Sequence, residues 1–117
     1  MQPIVSDMHI TESSGGPTLV VLEGRIDATA VQGQRERLLG LLERGVTRLV
    51  IDLSKTQFLD SAGMAMLVSV MKRARQAGGD VRVVEPADES VRRILRLTRL
   101  DLVLNLRSSY DAAIEGF

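Results

Sequence analysis

Leu49-Val50-Ile51-Asp52-Leu53 is too apolar to be a strand that faces water on either side. An alternating strand wets one face. A near-continuous apolar run implies cover on both, as in a parallel sheet flanked by other elements. A parallel neighbour in turn needs a crossover of roughly a dozen residues or more, usually a helix. The chain supplies the start of one a few residues later: Phe58-Leu59-Asp60-Ser61-Ala62-Gly63, then apolar residues at helical spacing from Met64 to Met71. An acid, a hydroxyl and a glycine therefore sit where a strand end turns into a helix.

The rest of the chain extends the pattern. Ile4 to Thr11 reads as a strand with Met8 and Ile10 on one face and Asp7 and His9 on the other. A turn through Ser13-Ser14-Gly15-Gly16-Pro17 leads to a second strand, Thr18 to Gly24, its hairpin partner. Asp27-Ala28-Thr29 begins a helix to about Arg44, with Val31, Leu38 and Leu42 on one face and Gly45 as its stop. Val46 to Leu53 is the third strand, and the helix opened by Asp60 or Ser61 ends at Gly78-Gly79. A strand over Val81 to Glu85, a helix capped by Asp88 and running to about Leu97, and a strand over Leu102 to Leu106 follow. Ser108-Ser109 caps a last short helix through Ile114. The order β-β-α-β-α-β-α-β-α implies an α/β fold: a mixed, mostly parallel sheet with an antiparallel N-terminal edge strand and helices packed on it. With 117 residues and no repeat or linker, residues 1–117 form one domain.

Composition removes several kinds of chemistry. Fifteen basic residues balance fifteen acidic ones, so nucleic acid meets no long-range attraction. The absence of cysteine excludes disulfides and thiolate ligands. Met1-Gln2-Pro3-Ile4 lacks the basic and apolar regions of a secretory signal, and no apolar run is long enough to span a bilayer, so a cytoplasmic location is expected.

An enzyme reading of Ser61 fails on its neighbours. A nucleophile elbow needs a small residue two positions before the serine, and Leu59 stands there. The only histidine, His9, lies on the polar face of the first strand. No phosphate-binding or dinucleotide glycine pattern is present. Asp27, Asp52 and Asp60 fall near strand ends and could hold Mg²⁺, but acids there are common as caps, and no metal or cofactor is expected. A nucleotide sensor on the Asp27–Asp60 rim is disfavoured by the same charges.

The structural reading of Asp60-Ser61 is a helix cap, which is compatible with a further role. A phosphate at a helix N-terminus meets free N–H groups and the positive end of the dipole. On Ser61 it would add about −1.5 to −2 charges beside Asp60 and Asp27. On a helical wheel Met64, Leu67, Val68 and Met71 form the expected core stripe. Met66 and Val70 then fall on the outward side, as a surface for another protein or as ordinary exposed apolar residues. Arg92, Arg93, Arg96 and Arg99 read as a solvated basic face opposite Val91, Ile94 and Leu95.

Leu22-Glu23-Gly24-Arg25-Ile26-Asp27, the buried strand and Phe58-Leu59-Asp60-Ser61-Ala62-Gly63-Met64 together resemble a stand-alone STAS domain of the anti-sigma factor antagonist (anti-anti-sigma factor) family. Gly78-Gly79, Val91-Arg92-Arg93-Ile94-Leu95 and Leu97-Thr98-Arg99-Leu100 continue the likeness over nearly the whole chain. The resemblance implies one layer of helices on a sheet. It also implies partner switching: the unphosphorylated form binds an anti-sigma factor that is a serine kinase, and the sigma factor is released. Phosphorylation of Ser61 breaks the complex, and a serine phosphatase resets it. Carried over, Ser61 is the phosphoacceptor, and Asp27, Asp60, Gly63, Met66 and Val70 surround it as the docking surface of a monomer or weak dimer. The alternative is a STAS accessory subunit of a transporter or a stressosome-like scaffold without phospho-switching. Two departures stand out: Ala62 replaces the second hydroxyl residue of many relatives, and Arg99 stands where relatives often carry glycine.

Overall fold

The computed structural model describes residues 6–117; Ile4 and Val5 of the expected first strand lie outside the described residues. β1 (Ser6–Thr11) and β2 (Thr18–Ile26) form the antiparallel hairpin, and α1 (Ala28–Glu43) leads to β3 (Arg48–Asp52). β4 (Thr56–Leu59), α2 (Ser61–Gln76) and β5 (Asp80–Val84) follow. α3 (Glu89–Leu97), α4 (Leu100–Val103), β6 (Leu106–Arg107) and α5 (Tyr110–Ile114) close the chain. The sheet order is β1-β2-β3-β5-β6, parallel after the first pair, as the strand–helix alternation requires.

β4 was not expected, and it positions the site. β2 is nine residues long and serves two parallel neighbours. Its first half pairs with β3, Thr18 opposite Leu49 through Val21 opposite Asp52. Its second half pairs with β4, with Arg25 opposite Phe58 and Ile26 opposite Leu59. The changeover occurs at a bulge between Gly24 and Arg25, where Gly24 has φ 83°, a left-handed conformation that glycine adopts without a Cβ clash. The buried Thr56 hydroxyl donates to the Leu22 carbonyl at 2.7 Å and the Gly24 N–H donates to the Lys55 carbonyl at 3.0 Å, so the switch leaves these groups satisfied. Thr56 to Leu59 is short and abuts the helix-opening acid, which hid it as a loop.

Two further expectations are corrected. Leu102 to Leu106 is not a strand: Leu100–Val103 is helical, and only Leu106–Arg107 pairs with β5. An apolar run this short fits either state by pattern. The helices also do not form one layer. The main core lies between the sheet and α1, α2 and α3, and includes Leu22, Ile26, Leu38, Leu49, Leu67 and Leu95, all fully buried. Each such side chain contributes about 2 kcal/mol by leaving water. On the opposite face Val50, Val84 and Ala113 form a second cluster, with Leu19, Ile114 and Phe117 packed against it. Here α5 covers the back of β3 and β5, which is why β3 is apolar on both sides. Arg82 on β5 fastens this lid, donating to the carbonyls of Ala113 at 3.0 Å and Glu115 at 2.7 Å and stacking on the Phe117 ring 4.4 Å from its centre. Among the described residues no helix is long and apolar enough to cross a membrane.

Candidate functional site

The pairing of β2 with β4 puts two helix starts side by side. β2 runs into Asp27 and α1; β4 runs into Asp60 and α2. Ile26 and Leu59 are register partners, so the two acids leave the sheet together. Asp27 caps α1, with its Oδ1 accepting from the Ala30 N–H at 3.0 Å. Asp60 caps α2 in the same way, accepting from the Gly63 N–H at 3.0 Å. Its second oxygen accepts from the Ala28 N–H of α1, also at 3.0 Å. One carboxylate thus binds the first turns of both helices, and the Asp60 N–H donates to the Ile26 carbonyl at 3.3 Å to hold it against β2.

Asp60, not Ser61, is therefore the N-cap. Ser61 is the first helical residue and is exposed, and its hydroxyl makes no hydrogen bond to another described residue. Gly63 is placed by the closeness of α2 to the sheet. A Cβ there would stand 2.5 Å from the Ile26 carbonyl oxygen and 2.7 Å from Leu59 Cδ1. Any side chain would have to push the first turn of α2 away from β2 and β4.

Two residues of the rim escaped the sequence reading. Arg25 donates through Nε to Asp27 Oδ2 at 3.0 Å, and its guanidinium lies 4.1 Å from the centre of the Phe58 ring. Phe58 is 37% exposed, a rare aromatic in a chain that is 3% aromatic. Their signal is the cross-strand pairing of Arg25 with Phe58, which exists only through β4. The Ala30 N–H first, and then the Arg25 guanidinium, hold the Asp27 carboxyl below the usual carboxylate range. The rim is thus anionic around Ser61, with Arg25 tied back onto Asp27 and Phe58.

Asp27, Asp60 and Ser61 lie together at these helix starts, whereas Gly63, expected on the docking surface, is buried against β2 and β4. Met66 and Val70 are not on that surface either: both are 0% exposed. The buried arc of α2 takes in Gly63, Met66, Leu67, Val70, Met71 and Ala74, because the sheet lies under the helix and α1 lies beside it. Relative to the wheel reading the helix is rolled by roughly a quarter turn. Leu67 and Met71 serve both readings, and apolar residues flank them on each side, so periodicity alone could not fix the roll. The outward flank carries Met64 and Val68 instead, half-buried at the edge of an open groove of about 560 Å³.

The other candidates lie elsewhere. Asp52 stands opposite Val21 and accepts from the Ser54 N–H at 2.8 Å, well back along β2 from Asp27. Among the described residues no three His, Asp or Glu side chains are grouped to hold a metal. His9 is opposite Val21 on β1, its Nε2 3.2 Å from Asp7 and 3.7 Å from Glu23, with both acids exposed to solvent. On α3, Arg96 pairs with Glu89 at 2.9 Å and Arg92 approaches Glu85 at 3.9 Å, while Val91 and Leu95 face the core.

Comparison with known proteins agrees with this geometry. A family model described as the STAS domain matches residues 9–113. A protein of Thermotoga maritima, provisionally named an anti-sigma factor antagonist, is 30% identical over 74 residues. That match takes in 63% of this chain and 65% of the relative, so the chain spans just under two thirds of that protein's length. The crystal structure of an anti-sigma factor antagonist from Mycobacterium paratuberculosis superposes with a TM-score of 0.83 at 26% identity, covering 97% of this chain and 95% of that one. The anti-sigma factor antagonist SpoIIAA in its unphosphorylated form superposes with a TM-score of 0.79 at 18% identity, over 93% of this chain and 94% of its own. SpoIIAA of Bacillus, in its phosphorylated form, has a TM-score of 0.72 at 17% identity, over 93% and 97%.

Proposed function

Because the chain belongs to the STAS domain family, we propose that it is an anti-sigma factor antagonist whose partner binding is switched at Ser61. The unphosphorylated form binds an anti-sigma factor with serine kinase activity, and that binding releases the sigma factor. The kinase phosphorylates Ser61, the complex separates, and a serine phosphatase restores the binding form. The chain acts as a binding module in this cycle and contributes no catalysis of its own.

The observation that carries the reading is the free Ser61 hydroxyl. A serine at a helix start ordinarily spends its oxygen on the cap. Here Asp60 caps the helix, which leaves Ser61 exposed and uncommitted. A phosphate there adds about −1.5 to −2 charges next to carboxylates that are already fixed in place. An interface formed over a rim of Asp27, Asp60 and Ser61 then suffers like-charge repulsion and the cost of desolvating a dianion. A fold relative solved in both unphosphorylated and phosphorylated forms supports the same reading.

The test begins with the intact mass of the protein isolated from its native cells, with fragmentation to map any phosphate. Phosphate on Ser61, absent in Ser61→Ala, is the expected result. Ser61→Asp should then lose binding to the kinase partner while unfolding at the temperature of the parent. No phosphate in any growth condition, together with no complex with an anti-sigma kinase, would reduce Ser61 to an ordinary first-turn residue and favour the scaffold or transporter-subunit role.

A further inference from the structure

The outward flank of α2 continues from the Ser61 rim as a groove. Met64, Ala65 and Val68 form its apolar floor, with Leu100 of α4 as a second wall, and Lys72 and Arg73 lie toward its far end. No carboxylate lines it. Lys72 and Arg73 are exposed and make no ion pair with another described residue, whereas Arg75, on the same turn, is held by Asp80 at 2.9 Å. Arg35 of α1 brings a third positive charge, donating only to the Ser69 hydroxyl at 3.3 Å on the groove's edge. The molecule therefore reverses sign along one helix: anionic at Ser61 and cationic about two to three turns later, with methionine and valine between.

We infer that this groove seats an amphipathic helix with acidic flanks, belonging to the protein that docks at Ser61. The inference rests on the reading of Ser61 as a docking site and names the chemistry of the partner segment. Met64, Val68, Lys72 and Gln76 are spaced by four and form one ridge, the surface against which another helix packs. Met64 to Gln76 covers about 18 Å at the usual rise, enough for more than three turns of a partner helix. Apolar side chains at i, i+3, i+4 and i+7 would meet the floor, with the flexible Met64 adapting to them. Glutamate or aspartate beside them would meet Lys72, Arg73 and Arg35. Polar Ser69 and Gln76 interrupt the apolar lining, which suits a helix with mixed edges better than a bare acyl chain.

Two measurements test this on the full chain. In the first, amide shifts are followed by NMR during titration with an 18-residue helical peptide of leucine, alanine and glutamate, its leucines at helical spacing. The matched peptide with lysine for glutamate and vesicles of phosphatidylglycerol are the controls. Saturable shifts at Met64, Val68, Lys72 and Leu100 with the acidic peptide alone, weakened at least ten-fold by Lys72→Glu with Arg73→Glu, are expected. Equal binding of the basic peptide, binding of vesicles only, or shifts outside the groove would overturn the inference. In the second, the same double variant, with Ser61 intact, is titrated against the cognate anti-sigma kinase. A ten-fold or greater loss with unchanged unfolding temperature is expected. Undiminished binding would sink the groove while leaving the Ser61 switch standing. If the kinase binds neither protein, the proposed function fails, and the peptide titration alone decides whether the groove takes an acidic helix.

Discussion

Asp60 does the work of two caps with one side chain. Asp60→Ala should cost about 2 kcal/mol, roughly 1 for each helix start it serves. Asn in its place keeps one acceptor oxygen and should lose about half as much; urea unfolding of the two variants measures the difference. Arg99 makes the opposite case. It ends α3 and begins α4 with φ 64° and ψ 14°, a left-handed conformation that crowds its Cβ. Arg99→Gly relieves that strain at some entropic cost and should raise stability by up to about 1 kcal/mol, a few degrees in Tm by calorimetry. The sequence reading marked both positions, Asp60 by its place before a helical run and Arg99 as a departure from glycine. It could not see that Asp60 reaches across to Ala28, since that bond joins residues 32 apart. Arg25 and Phe58 were missed for the same reason: their meaning lies in a pairing, not in either residue.

At the scale of elements, the strands and helices with strong periodicity were legible, and the short ones were not. β3 declared itself by its unbroken apolar centre, Leu49 to Ile51, and Gly45 and Gly78 marked real helix ends. β4 and β6, at four and two residues, carry too little pattern to stand out from loops. The roll of α2 was lost because its apolar arc is wider than one stripe, and only the packing of α1 decides which flank is covered. α5, at five residues, is too short to hold itself and relies on what it packs against. Its attachment depends on Arg82, whose side chain is only 16% exposed. Arg82→Ala removes two charge-assisted hydrogen bonds and the stack on Phe117, and should cost about 2–3 kcal/mol. Hydrogen exchange should quicken first over 110–117 and leave the first turns of α1 and α2 protected. Uniform loosening of both faces of the sheet would show that α5 is no separate lid.

For the whole molecule, acid is the condition that tests the helix starts together. Three carboxyls are held below their usual range. Asp27 is held by the Ala30 N–H and then Arg25, Asp88 by the Ser90 hydroxyl and then the Val91 N–H, and Glu89 chiefly by Arg96. Unfolding releases each carboxyl to its ordinary, higher proton affinity, so the unfolded state binds more protons and stability rises with pH through this region. Their contribution is complete above about pH 5 and fades as pH falls through and below the ordinary carboxylate range near 4. Thermal unfolding followed from pH 7 to pH 3 should show Tm falling over that interval, with a shallower fall in Asp27→Asn. A slope unchanged by that substitution would assign the acid sensitivity elsewhere.

The double grip of Asp60 also bears on how information could be stored here. With one oxygen bonded to each helix, the carboxylate can move aside for a newcomer only by giving up one of those bonds. A charge delivered to Ser61 would therefore land on ground that yields only at that cost. The backbone beneath would keep its form, and the change would be carried outward as field alone. A partner reading this surface would need no moving part in it, only an interface laid close enough to be repelled.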